Sequence, residues 1–157
     1  MIFVTVGTTE FDDLVRAADQ LAAAGHEVVI QIGRGLVEPV HAQWFRFAPD
    51  LDTCYEAADL VVTHGGLGTV TEVLHRRIPL VGVSNHDRYD RHQDQILQAM
   101  EAAGHLLWCR DLADLPQAIE LAGQREFLPY VPPQSHIGAV ISEFLQTPPA
   151  RGKRQAG

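Results

Sequence analysis

Leu60-Val61-Val62-Thr63-His64-Gly65-Gly66-Leu67-Gly68-Thr69 is the stretch from which the fold of this chain is read. Leu60 to Thr63 is an apolar, largely β-branched run without polar alternation, which suits a strand buried on both faces of a sheet. The glycines then turn the chain, and helical spacing takes over from about Thr69 to His75. Glycine lets a backbone approach a ligand closely, and the open amides of a helix N-terminus attract phosphate oxygens. Thr69 adds a hydroxyl donor. Glu72, three residues on, is close enough to accept hydrogen bonds from ribose hydroxyls. A purely structural reading of the same residues is a tight turn with a capping box from Thr69 to Glu72.

The same strand-then-helix order repeats on either side. Ile2 to Val6 ends at Gly7, and Leu14, Ala17, Ala18, Leu21 and Ala24 follow at helical spacing, with Gly25 as a C-terminal cap. Residues 27–32 predict a second strand closed by Gly33-Arg34-Gly35, residues 43–47 a third, and residues 53–58 a short helix. Residues 79–84 form the next strand, residues 93–103 a helix ended by Gly104, and residues 105–109 a sixth strand. Asp111 can cap a further helix containing Leu115, Ala118, Ile119 and Leu121. Strands separated by helices imply parallel pairing through right-handed crossovers, hence an α/β doubly wound (Rossmann-like) sheet. Its ligand crevice belongs at the carboxyl ends of the strands, where every glycine-rich loop falls.

Ser135 can cap a last helix with Ile137, Val140, Ile141, Phe144 and Leu145 on one face, which either packs on its own sheet or crosses to a partner. From Thr147 the chain is rich in Pro, Gly and Arg without periodicity. Residues 1–146 are therefore expected to form one domain, and residues 147–157 a disordered tail.

Composition narrows the function. The chain has 157 residues with 46% hydrophobic and 20% charged, enough for one core and too apolar for disorder. A formal net charge of −8 disfavours nucleic acid as a partner, although a local phosphate site remains compatible with it. Lys153 is the sole lysine, so no core lysine can be catalytic, and a P-loop is ruled out. A dinucleotide fingerprint fails as well, because the first turn reads Gly7-Thr8-Thr9-Glu10-Phe11 and the second strand ends in Gly33 rather than an acid. Thr8 and Thr9 carry hydroxyls that could donate to a phosphate or sugar. Cys54 and Cys109 follow no metal or redox spacing, so reduced thiols are expected. His86, Asp87, Asp90 and His92 crowd one loop but match no defined metal site. No arrangement for nucleophilic or paired-carboxylate catalysis is visible, and no leader or membrane span opens the chain.

Several motifs together resemble a known family. Phe3-Val4-Thr5-Val6-Gly7-Thr8-Thr9 with Phe11-Asp12-Asp13-Leu14, Gln31-Ile32-Gly33-Arg34-Gly35, and Ala58 to Gly66 resemble the donor-binding subunit of the two-subunit UDP-N-acetylglucosamine transferase of dolichol-linked oligosaccharide synthesis. The match continues through Asn85, His92-Gln93 and Gly104 to Cys109, and covers about residues 1 to 121. The chain is similar also to bacterial exopolysaccharide glycosyltransferase subunits and to the C-terminal half of the lipid-linked peptidoglycan GlcNAc transferase, all with a glycosyltransferase family 28 C-terminal domain.

The resemblance implies one half of a GT-B glycosyltransferase: an inverting, metal-independent enzyme using a UDP-sugar, GlcNAc foremost, with no further cofactor. A membrane-associated partner subunit would supply the lipid-linked acceptor and hold this chain at the inner face of the membrane, in the cytoplasm. A non-catalytic UDP-sugar-binding regulatory module is the alternative. By position the resemblance gives the diphosphate to Gly65, Gly66, Gly68 and Thr69, the ribose to Glu72, and the sugar hydroxyls to His92 and Gln93. Thr8 and Thr9 would line the cleft, Asn85 and His64 belong to the same set, and residues 47–51 would meet uracil through their backbone. His64 is a candidate base by position, but no catalytic residue is assigned. Leu67 and Arg91 depart from the family pattern, which leaves the donor sugar open among GlcNAc, glucose and glucuronic acid.

Overall fold

β1 (Ile2–Thr5), β4 (Leu60–His64) and β5 (Leu80–Val83) are buried along their whole length, so their apolar side chains require cover on both faces. The computed structural model, which describes residues 1–85 and 92–132, provides that cover with helices. The loop carrying His86, Asp87, Asp90 and Arg91, the final helix expected from Ser135 and the expected tail lie outside the described residues.

With β2 (Val28–Gln31), β3 (Gln43–Phe45) and β6 (Leu107–Cys109), these strands make one parallel sheet in the order β3-β2-β1-β4-β5-β6. The helices are α1 (Asp12–Ala23), α2 (Asp52–Ala57), α3 (Leu67–Arg76), α4 (His92–Ala102) and α5 (Leu115–Gln124). Alternate strand residues divide the core. Val4, Ile30, Val62 and Val81 pack against Leu14, Val15 and Ala18 of α1 and Leu115 and Ala118 of α5. Phe3, Val61 and Leu80 pack on the other face against Tyr55 of α2, Val70, Val73 and Leu74 of α3, and Leu97 of α4. The doubly wound sheet read from the sequence is the sheet observed.

The strand order reverses direction between β1 and β4. A crevice opens at such a switch point, just beyond the carboxyl ends of the two strands. Those ends are the turn after β1, beginning at Gly7, and the turn after β4, beginning at Gly65.

Some boundaries differ from the sequence reading. β3 stops at Phe45, because Arg46 and Phe47 turn out to solvent, where Phe47 is 54% exposed. Asp111 does cap a helix, its carboxylate accepting from the Ala113 amide at 2.9 Å, but that helix is a single 3-10 turn (Leu112–Asp114) leading into α5. Gly25 follows the last turn of α1 with φ +99°, a left-handed conformation that glycine takes without strain.

Candidate functional site

Two glycine turns meet at the switch point. Gly7 leaves β1 with φ +62°, and a side chain there would stand 3.3 Å from the His64 ring and 3.7 Å from Thr69 Oγ1. Gly66 lies over the same ring, and a β-carbon on it would come within 2.5 Å of His64 Nε2. His64 is 6% exposed and thus forms the floor between the two turns, with its Nδ1 3.4 Å from Thr63 Oγ1. Gly65 packs on the backbone of Gln93, where an added β-carbon would meet the Gln93 Cα at 2.9 Å. The first turns of α3 and α4 are therefore held side by side.

Asn85 ties the edge together. Its amide donates to Gln93 Oε1 at 3.1 Å, and its side-chain Nδ2 donates to the Glu10 carbonyl at 3.0 Å. Turns after β1, β4 and β5 and the start of α4 so become one surface. It brings Gly7, His64, Gly65, Gly66, Thr69, Asn85 and Gln93 together, with Thr8, Thr9, Gly68 and His92 beside them along the chain.

α3 begins at Leu67, two residues before the start read from the sequence, with Gly66 as N-cap and no side-chain cap. Thr69 therefore sits inside the first helical turn, and the capping box from Thr69 to Glu72 does not form. The amides of Leu67, Gly68 and Thr69 have no acceptor within the helix, since the first hydrogen bond returns from Val70 to the Gly66 carbonyl at 2.9 Å. No acidic residue lies in this turn, whereas α1 carries two and α2 and α4 one each. Among the described residues, nothing thus compensates the positive end of this helix dipole. Gly68 faces open space.

The first turn behaves differently. The Thr9 hydroxyl donates to the Val6 carbonyl at 2.9 Å and the Thr9 amide donates to the same oxygen at 3.2 Å. Its proton is turned to the fold here, whereas the sequence reading has both hydroxyls of this turn able to donate to a phosphate or sugar. The exposed Thr8 keeps that option. Gly33, with φ +56°, wedges beneath the turn against the carbonyls of Thr9 and Gly7.

Glu72 stands one turn further along α3 and is 48% exposed. Arg76 Nη2 is 3.5 Å from its Oε1 and 2.5 Å from Asp52 Oδ1, and the Asp52 bond holds the guanidinium still more firmly protonated. Asp52 directly follows residues 47–51, so that stretch lies on the Glu72 side of the crevice. Tyr55, Asp52 and Arg76 were not singled out in the sequence. An acid four residues before an arginine on one helix face was the available signal for one of their contacts.

A cavity of about 400 Å³ opens at the same edge between Phe11, Asp13, Ser84, Arg110 and Asp111. A second, of about 330 Å³ between Leu74, Pro79, His105, Phe127 and Tyr130, touches none of the residues gathered at the switch point. Cys109 is buried with its thiol 3.0 Å from the Asp111 carbonyl, and burial, with Asp114 nearby, pushes it up to about 11, so it is an inert core thiol.

Comparison with known proteins adds the following. The model of the glycosyltransferase family 28 C-terminal domain matches residues 1–125. The UDP-N-acetylglucosamine transferase subunit ALG13 of Homo sapiens is 38% identical over 122 residues, an alignment that takes in 69% of this chain and 11% of the relative. The chain thus spans about a tenth of the length of that curated relative. Among solved structures, the glycotransferase of kitacinnamycin superposes with a TM-score of 0.63 at 22% identity, covering 79% of this chain and 35% of that one. An NMR structure of ALG13 superposes with a TM-score of 0.58 at 20% identity, covering 93% of this chain and 95% of that one.

Proposed function

This chain belongs to the glycosyltransferase family 28 C-terminal domain family, and we propose that it is the UDP-sugar-binding subunit of a glycosyltransferase completed by a second, membrane-associated subunit. The observation that carries this reading is the start of α3. Three amides open onto the switch-point crevice with no acid and no cap of their own, beside glycines that leave the backbone bare. Such a turn takes a diphosphate, whose charge the amides and helix dipole accommodate.

The other residues follow outward from the diphosphate. Glu72 accepts the ribose hydroxyls, residues 47–51 meet the uracil, and His92 and Gln93 reach the sugar. A UDP-N-acetylglucosamine transferase subunit among the relatives supports GlcNAc as the donor sugar. In the reaction an acceptor hydroxyl attacks the anomeric carbon, the bond to the diphosphate oxygen breaks, and UDP departs with inversion. Negative charge grows on the leaving diphosphate in that step, and preorganised amides facing it lower the barrier without a metal ion. The partner subunit brings the lipid-linked acceptor and holds this chain at the cytoplasmic face of the membrane. The opposite wall of the crevice, and the base that takes the acceptor's proton, belong to that partner.

Ligand-observed NMR on the purified chain with UDP, UDP-GlcNAc, UDP-glucuronic acid and NAD tests the reading. Binding of the uridine nucleotides but not NAD, weakened at least about tenfold in Glu72→Ala, is expected from loss of hydrogen bonds to a charged acceptor. Equal binding of NAD and UDP, or no uridine nucleotide bound at millimolar ligand, would overturn it.

A further inference from the structure

The proposed role of Glu72 leaves unexplained the three residues built around it. Arg76 touches both Glu72 and Asp52 through one Nη2, at 3.5 and 2.5 Å. Its guanidinium carbon also stands 4.6 Å from the centre of the Tyr55 ring. Tyr55 is only 2% exposed and meets Phe3 of β1 edge to face with centroids 5.4 Å apart, so its ring is fixed by the sheet itself. Its hydroxyl is buried without a hydrogen-bond partner among the described residues. Burial and then the nearby Glu72 charge push that phenol up to about 12, further from ionisation.

Ion pairs as exposed as Arg76 with Asp52 and Glu72 contribute little to stability, so the consequence of this arrangement is geometric. A glutamate on an open helix face rotates about three side-chain bonds. Two vicinal hydroxyls need its acceptor lone pairs in one plane, and a carboxylate offers enough of them to serve a diol while one oxygen still faces a guanidinium. A guanidinium is planar and rigid, and here it is braced by an acid from α2 and by an aromatic face.

We propose that Arg76, braced by Asp52 and the Tyr55 ring, positions the Glu72 carboxylate for both hydroxyls of a ribose and makes the site select ribonucleoside over 2′-deoxyribonucleoside diphosphates. The inference rests on the nucleotide reading above and deepens it. Arg76, Asp52 and Tyr55 act through Glu72 and are positioning residues. A 2′-deoxy ligand forfeits one hydrogen bond to a charged acceptor, worth about tenfold in affinity. Where the carboxylate is not held, ordering it offsets that gain and the discrimination fades.

The test is the ratio of dissociation constants for 2′-deoxy-UDP and UDP, measured by NMR titration on the whole chain and on Glu72→Ala, Arg76→Met and Asp52→Asn. We expect a ratio of about ten for the unaltered chain and about one for Glu72→Ala. Arg76→Met is expected to bring the ratio down to about two by weakening UDP more than 2′-deoxy-UDP, with Asp52→Asn between. Asp52 is 62% exposed, so its variant folds and decides the matter if Arg76→Met does not. UDP binding with an unchanged ratio in these variants would overturn the inference and leave the nucleotide reading intact, as would equal weakening of both ligands. Failure of the unaltered chain to bind UDP would overturn the nucleotide reading, and this inference with it.

Discussion

Two runs of three successive amides, residues 40–42 and residues 67–69, fare differently among the described residues: the first is filled from within and the second is not. The amides of Val40, His41 and Ala42 all donate to the Asp19 carboxylate, at 3.1, 2.8 and 2.9 Å. Those of Leu67, Gly68 and Thr69 open the first turn of α3, where the described residues supply neither an acid nor a side-chain cap. Asp12 repeats the first solution, accepting from Leu36 and Val37 at 2.9 and 3.2 Å. Where the chain provides its own anion the result is a fixed loop; where it withholds one, the same donors are available to a ligand.

The comparison is broken most severely by emptying the filled place. Asp19→Ala leaves three amides without their acceptor and is expected to cost about 3 kcal/mol in chemical denaturation, with UDP affinity unchanged. An unchanged midpoint would show that water replaces the carboxylate at no cost.

Acid should achieve part of the same effect. Partial burial pushes the Asp19 carboxyl up, but the amides of Val40, Ala42 and His41 outweigh it and bring it down from 3.8 to about 2. A depressed carboxyl contributes stability that is complete above the unfolded value near 4 and is lost as pH falls through about 2. With only 16% of the side chain exposed, the loss amounts to about 2 kcal/mol over that window. Stability measured against pH on the intact chain and on Asp19→Asn should differ in slope there, the variant being flatter.

Filling the empty place is the converse operation. Gly68→Asp puts a carboxylate beside the open amides of α3, and UDP affinity should fall tenfold or more, about 1.4 kcal/mol, while thermal stability rises slightly. Undiminished binding would place the diphosphate elsewhere. The smallest effect is expected at the turn after β1. Thr9→Val removes the bond to the Val6 carbonyl and should cost about 1 kcal/mol of stability without weakening UDP, whereas Thr69→Val should weaken UDP and spare stability.

Sequence reading reached the fold because its signals are local. Unbroken apolar runs such as Leu60 to Val62, each followed by helical spacing, specify parallel strands covered on both faces, and the sheet is built that way. It also located the turn after β4, since the glycine cluster is contiguous. What escaped it depends on partners distant in sequence. Asp19 was not singled out in the sequence, and only the folded chain brings residues 40–42 to it. Nothing in the sequence pairs Tyr55 with Arg76, whose contact arises only once α2 and α3 share a face of the sheet. The start of α3 was placed late because Leu67-Gly68 looks like loop, although a helix tolerates glycine in its first turn. Nor did the spacing distinguish Thr8 from Thr9, whose roles separate only when the turn closes on Val6.

The imidazole lodged beneath two glycines has a bearing on descent. Positions 7, 64 and 66 occupy one volume, so neither glycine can change while the ring is there: a methyl at 66 collides with the ring, and at 7 it crowds the same ring with an unfavourable backbone angle. Lineages that exchange His64 for a smaller residue gain room for alanine at 66, and those that keep the ring are bound to keep both glycines. Substitutions at these positions should therefore be inherited as a set, the change at 64 coming first.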